Sequence, residues 1–156
     1  RETVKTARDI GTDPYYLAAL ISFESQWVPD IQNPRSSATG LIQFVDPTAE
    51  ALGTTTEAIR EMSVAQQMVL IRRYFSPSFS GRRNYPTLQS LAMQVFFPSA
   101  RSWPRSREFP DWVKEDNPNI VTVADYMRKV EQRLPRNMRP GEEAESVSQP
   151  IDVTFS

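Results

Sequence analysis

The sequence predicts a mainly α-helical fold. Apolar residues recur at helical spacing in several segments, as at Leu17, Leu20 and Ile21, and proline or glycine separates these segments. Only the last few residues suggest the alternation that a strand requires. The chain of 156 residues is long enough for one domain with a moderate core.

Capping residues mark the first predicted helices. Residues 1–10 form a short helix that stops at Gly11. Thr12 and Asp13 then cap a helix over residues 14–27, which has a proline in its first turn.

Turn-forming residues occupy positions 28–39. A second short helix begins after Asp46 and ends near Gly53. Thr54 and Glu57 form a capping-box pattern for another.

Four apolar residues on one face predict each of the later helices: Val64, Met68, Ile71 and Phe75; Leu88, Leu91, Ala92 and Val95; Val123, Tyr126, Val130 and Leu134. Pro77 must end the first of these, and a capping box of Thr122 and Asp125 begins the last. Residues 98–119 are rich in proline, arginine and tryptophan and are predicted to be irregular.

We predict one domain over residues 1–138, followed by an extended or disordered tail over residues 139–156, because that tail is rich in glutamate, serine and proline. The first residue is Arg1, and no segment near it resembles a signal peptide. The chain is therefore expected to be a fragment of a longer protein or a processed product.

Composition excludes several classes of function. A net charge of −1 argues against nucleic acid as the main partner, and no apolar run is long enough to span a membrane. The chain has no cysteine and no histidine, which excludes thiolate metal sites and histidine-dependent hydrolases. We expect no metal and no cofactor, so acid–base chemistry would fall mainly to carboxylates.

Glu24 is the candidate acid. It follows Leu17, Leu20 and Ile21 by seven, four and three residues, which places it on the apolar face at the end of a helix. Partial desolvation there favours the protonated carboxyl, and cleavage of a glycosidic bond needs such a proton donor. The alternative is a glutamate that simply turns outward to water, as most do.

Three motifs surround this residue. Residues 24–29 read ESQWVP, residues 37–43 read SATGLIQ, and residues 47–49 read PTA. Their order and spacing resemble the soluble lytic transglycosylase family, in which a catalytic glutamate followed by serine, an aromatic residue and proline precedes a GLMQ segment and then PxTA. Ile42 stands in place of the usual methionine.

A further segment resembles phage-borne members of the same lysozyme-like group. Residues 88–100 read LQSLAMQVFFPSA, where these relatives have a helix followed by YPAA. Phe97 stands where tyrosine is common, so a hydroxyl that would lie near the glutamate is missing. The resemblance covers residues 1–100 and implies a lysozyme-like helical domain.

The resemblance implies that Glu24 protonates the bond between N-acetylmuramic acid and N-acetylglucosamine, then acts as base while a 1,6-anhydro ring closes. It also implies that Ser37, Gly40, Gln43 and Phe97 contact the substrate. Hydrolysis stays open as the alternative and would need a second carboxylate, for which Asp30 and Asp46 are candidates, although both are more simply turn or capping residues.

Two groups of residues have structural alternatives that we favour. Trp27, Tyr74 and Phe96 offer faces for sugar stacking, but aromatic residues at helical spacing are more often core. The other group is a set of arginines suited to an anionic polymer but more simply a solvated surface: Arg72, Arg73, Arg82, Arg83, Arg101, Arg105 and Arg107.

The sequence therefore predicts a peptidoglycan-cleaving enzyme whose partners are glycan strands and the rest of a larger virion protein or assembly. We expect a virion-associated protein that opens the cell wall for a phage and acts in the periplasm or cell wall. A bacterial envelope enzyme is the alternative location. An inactive lysozyme-like module that serves assembly or glycan binding is the alternative function.

Overall fold

The computed structural model describes residues 2–141, which form nine α-helices and no strand. The helices are α1 (Glu2–Ile10), α2 (Pro14–Ser25), α3 (Asp46–Ala51), α4 (Thr56–Arg60), α5 (Val64–Tyr74), α6 (Pro77–Ser80), α7 (Leu88–Phe96), α8 (Asp111–Asp116) and α9 (Val123–Glu131). Short 3-10 turns cover Pro98–Ala100 and Arg136–Met138. The prediction of a mainly α-helical fold is confirmed. Arg1 and most of the predicted tail lie outside the described residues.

The chain divides into two compact units, Arg1–Ser102 and Trp103–Ser156. In the first unit, α2 contacts both α1 and α7, and α1 also contacts α5. Leu17, Leu20 and Ile21 of α2 are completely buried, so the apolar face predicted for this helix lies in the core of the unit. That burial fixes the helix which carries Glu24.

The second unit is held by α9 and an extended pairing of backbone. The N–H of Phe109 donates to the Val121 carbonyl at 2.9 Å, and the N–H of Val123 donates to the Arg107 carbonyl at 3.0 Å. Arg105 binds Glu131 of α9 through two hydrogen bonds of 2.6 and 3.1 Å. Glu131 is buried, and the paired guanidinium satisfies its charge.

Capping chemistry decides where the helices begin. The Asp13 carboxylate accepts from the Tyr15 N–H at 2.8 Å, and Thr122 forms the predicted capping box with Asp125, so these two caps are confirmed. Thr12 does not share in the cap of α2, because its hydroxyl has no hydrogen-bond partner among the described residues. For α4 the capping residue is Thr55 and not Thr54, because the Thr55 hydroxyl accepts from the N–H of Ala58, the third residue of the helix, at 3.0 Å.

The irregular stretch predicted for residues 98–119 contains a helix, α8. It follows Pro110, begins with an acidic residue and buries only Val113, so it has no apolar repeat from which to recognise it. Pro77 also differs from its predicted role, since α5 already ends at Tyr74 and the proline occupies the first turn of α6. Among residues 2–141 no helix has the length and apolar character needed to cross a membrane.

Candidate active site

Glu24 is the last residue but one of α2 and is half-buried. The helix ends there because Gln26 and Trp27 both adopt left-handed backbone conformations, with φ of 52° and 65°. These two angles end the predicted helix two residues early. The chain turns sharply, directly after the candidate acid.

The buried Ser25 side chain stabilises this end of α2 by hydrogen bonds to the backbone. Its hydroxyl donates to the Ile21 carbonyl at 3.0 Å and accepts from the Trp27 N–H at 3.2 Å, and its side chain is only 1% exposed. Both contacts are with the backbone, which matches the structural role expected for serine at such a position. The serine that follows the glutamate therefore shapes the turn.

The segment that carries Gly40 and Gln43 folds back on itself. Thr39 and Phe44 exchange two backbone hydrogen bonds of 2.9 and 3.0 Å, and the Gly40 N–H donates to the Ile31 carbonyl at 2.9 Å. The Gln43 amide nitrogen donates to the Gly40 carbonyl at 2.9 Å and to the Ile31 carbonyl at 3.4 Å. Gln43 is half-buried, and these hydrogen bonds of its side-chain nitrogen stabilise the turn.

Gly40 is buried and adopts a φ of +89°. A Cβ at this position would lie 2.6 Å from the Gln67 side-chain oxygen and 2.9 Å from the Ile59 Cγ2. Close packing against α5 therefore explains why residue 40 is glycine, independently of the sugar contact that the sequence predicts.

Ser37 and Asp30 lie in the surrounding loops, and Asp46 begins α3. The Ser37 hydroxyl accepts from the Asp46 N–H at 2.9 Å and so satisfies the first turn of α3. Asp46 is itself the first residue of α3, and its carboxylate accepts from the Thr56 hydroxyl at 2.7 Å. Asp30 is exposed. Among residues 2–141 no three carboxylates gather into a set that could hold a metal ion.

Tyr74 packs among other aromatic rings, in agreement with the core role that the sequence favours for it. Its ring packs against Phe44 with ring centres 5.3 Å apart, and its hydroxyl donates to the Gln94 carbonyl at 2.9 Å. Burial raises the pKa of Tyr74 to about 12. The bond to Gln94 acts in the opposite direction, while negative charge on Tyr85 and then on Glu24 adds to the rise.

Phe97 follows α7 and is half-buried, with its N–H donating to the Met93 carbonyl at 2.8 Å. It leads into the 3-10 turn Pro98–Ala100, after which the Arg101 guanidinium donates to the Gln94 side-chain oxygen. Tyr74 and Arg101 thus both bind Gln94 of α7, Tyr74 at the backbone carbonyl and Arg101 at the side-chain oxygen. Because residue 97 is phenylalanine, it contributes no hydroxyl to these contacts.

Gln67 has contacts that the sequence analysis missed. Its buried amide reaches the chain at Pro29 and at Leu41, on either side of the loop that follows Glu24. A glutamine in the first turns of an amphipathic helix gives no local signal of this kind, because its partners are 38 and 26 residues away.

The predicted basic surface is largely engaged within the protein. Arg72 pairs with Asp9 at 3.2 Å, and Arg73 donates to the Leu52 carbonyl at 2.7 Å. Arg107 lies over the Trp103 ring at 3.8 Å. These contacts favour the structural interpretation of the arginines.

One comparison with known proteins gave a match. Residues 3–67 match the model of the transglycosylase SLT domain. The comparisons with curated proteins and with solved structures gave no match. The matched segment runs from α1 through Glu24 and the Gly40 turn to Gln67, and it supports the lytic transglycosylase family, a lysozyme-like helical fold and peptidoglycan as the substrate.

Proposed function

We propose that the protein is a lytic transglycosylase that cleaves the bond between N-acetylmuramic acid and N-acetylglucosamine, with Glu24 as its catalytic residue. The observation that carries the proposal is the position of this carboxyl. It is half-buried at the end of α2, next to a sharp turn of the chain, and lies inside the segment that matches the transglycosylase SLT domain.

The reaction that we propose uses one carboxyl twice. The protonated Glu24 gives its proton to the glycosidic oxygen, which leaves with both electrons of its bond to C1 of N-acetylmuramic acid. The Glu24 carboxylate then removes the proton of the C6 hydroxyl, whose oxygen bonds to C1 and closes the 1,6-anhydro ring. Glu24 ends protonated, and no water is consumed.

A single carboxyl suffices for this route, whereas hydrolysis ordinarily uses two. Asp46 supports the single-carboxyl route because its carboxylate is engaged with Thr56 at the start of α3. Asp30 is exposed, as expected for a turn residue. The anhydro-forming route therefore requires nothing of either aspartate.

Substrate binding by the surrounding residues stays a prediction. Ser37, Gln43 and Phe97 keep partly exposed side chains, and Gly40 forms part of the turn that would be the floor of the site. The Gln43 nitrogen is already engaged in the turn, so we expect its side-chain oxygen to accept from the N–H of an acetamido group.

The test is mass spectrometry of fragments released from purified peptidoglycan by the wild type and by Glu24→Gln. Glu50→Gln is the matched control, because it makes the same change at an exposed residue of the same unit. We expect 1,6-anhydro products from the wild type and the control, and a rate lower by about 10²–10⁴-fold in Glu24→Gln.

Two other outcomes would change the conclusion. Reducing-end products that depend on Glu24 would mean hydrolysis, and Asp30→Asn would then be the next variant. No release by a folded wild-type protein, across several wall types, would leave the inactive structural or glycan-binding module, which the missing hydroxyl at Phe97 favours.

We also propose that the enzyme is associated with a virion and opens the cell wall for a phage. The support is the likeness of residues 88–100 to phage-borne members of the lysozyme-like group. Mass spectrometry of purified virions and of uninfected cell envelopes would decide the location. Peptides found only in the envelopes would point to a bacterial envelope enzyme.

A further inference from the structure

Gln67 is a buried amide whose side chain is only 2% exposed. Its oxygen accepts from the Leu41 N–H at 2.8 Å, and its nitrogen donates to the Pro29 carbonyl at 2.6 Å. The same nitrogen reaches the carbonyls of Ile59 at 3.2 Å and Met62 at 3.4 Å. One side chain of α5 therefore satisfies backbone groups in three separate segments.

Two of these segments border Glu24. Pro29 belongs to the turn that leaves α2 five residues after Glu24, and Leu41 lies in the turn between Gly40 and Gln43. One amide group therefore binds both segments, in addition to the hydrogen bond that joins them directly, from the Gly40 N–H to the Ile31 carbonyl. Gly40 packs directly against the same side-chain oxygen, which leaves the turn little freedom to shift.

Gln67 makes its two shortest hydrogen bonds to loop backbone across 38 and 26 residues, and these are the two loops that border Glu24. We propose that Gln67 is a positioning residue, which holds the turn after Glu24 and the Gly40–Gln43 turn in one fixed arrangement for catalysis. This inference rests on the proposed function.

The activity test compares Gln67→Met with Gln66→Met. Both change glutamine to a residue of similar length in the same helix, but Gln66 is exposed and bonds only the capping residue, Ser63, among the contacts known for it. We expect kcat per folded molecule, measured on soluble muropeptide oligomers, to fall about 10- to 100-fold in Gln67→Met, because small displacements of a reacting group are costly.

The same measurement distinguishes positioning from plain stabilisation. A purely structural role would lower the melting temperature of Gln67→Met and leave kcat per folded molecule equal to that of Gln66→Met, which would overturn the proposal. If Gln67→Met does not fold, Gln67→Asn takes its place, since it keeps the amide but is too short to reach both turns. Wild-type kcat in that variant would also overturn the proposal.

Hydrogen exchange keeps the test independent of the activity. We expect faster exchange at the Leu41 N–H and through the Gly40–Gln43 turn in the Gln67 variant, with exchange in α7 unchanged. A wild type that releases nothing from peptidoglycan would refute the proposed function, whereas an active wild type with unaltered exchange and kcat in the Gln67 variant would refute the positioning role alone.

Discussion

Gly40 shows how much of the site depends on single residues. Its positive φ and its contact with Gln67 each disfavour a side chain, for different physical reasons. The first is a backbone preference shared with other glycines, and the second is a lack of room. Gly81 has a similar φ of +76° but open space around it, so the chain contains its own control.

We expect Gly40→Ala to lower the free energy of unfolding by about 1–3 kcal/mol and to reduce the proposed activity. Gly81→Ala should report the backbone strain alone. Urea unfolding of both variants measures the difference, and we expect Gly40→Ala to lose more because the Gln67 oxygen must move. Equal losses would mean that the turn yields without cost.

Residue roles could be predicted from the sequence only where the partner is local. Ser25 is such a case, since its hydrogen bonds reach only Ile21 and Trp27, four and two residues away. Gln67 was not recognised, because hydrogen bonds across 26 and 38 residues leave no trace in local spacing. The core role favoured for Tyr74 agrees with the packing of its ring against Phe44 and Phe75.

The helices that could be predicted from the sequence are those with a clear apolar repeat and a capping residue. α2 was found because three fully buried residues repeat along one face and Asp13 caps it. α8 was missed because it buries only Val113. The end of α2 was placed two residues late, because nothing in the local sequence announces left-handed angles at residues 26 and 27, where glycine is absent.

The N-terminus of α9 has a charge that can be tested. The Asp125 carboxylate accepts from the N–H groups of Thr122 and Val121, at 2.9 and 3.0 Å. These backbone hydrogen bonds lower the pKa of Asp125 below its ordinary value of 3.8. A lowered pKa contributes stability that is present above pH 3.8 and is lost as the pH falls through the folded value.

We therefore expect Asp125→Asn to be less stable than the wild type at neutral pH, by a few tenths to about 1 kcal/mol, because the site is partly exposed. The difference should shrink as the pH falls below 3.8. Unfolding curves across this range provide the measurement. Arg128→Gln controls for the ion pair with Asp125. A difference that stays constant with pH would contradict the assignment.

At the scale of the molecule, the chain combines near-zero net charge with arginines that mostly serve internal contacts. The exclusion of nucleic acid as main partner remains a prediction from this balance. The matched transglycosylase segment occupies only part of the first unit. The predicted domain limits at residues 138 and 139 stay a prediction, and most of the tail lies outside the described residues.

We expect the free energy of unfolding at alkaline pH to depend on the ionisation of Tyr74. Because its pKa rises from 10.0 to about 12 on folding, its contribution is complete below pH 10 and is lost as the pH approaches 12. We expect Tyr74→Phe to show a shallower decline of the unfolding free energy in this interval. Tyr15→Phe, at an exposed tyrosine, is the control. Parallel curves for Tyr74→Phe and the wild type would count against this expectation.

The left-handed backbone conformations of Gln26 and Trp27 lower the free energy of unfolding. A non-glycine residue in the left-handed region costs about 1–2 kcal/mol, and two such residues in succession take up a sizeable share of the roughly 5–15 kcal/mol by which domains are stable. Glycine would relieve this strain but would loosen the chain. The sharp turn directly after Glu24 therefore lowers the stability of the fold, and replacing Gln26 with glycine should raise the free energy of unfolding if the backbone strain exceeds the added chain entropy.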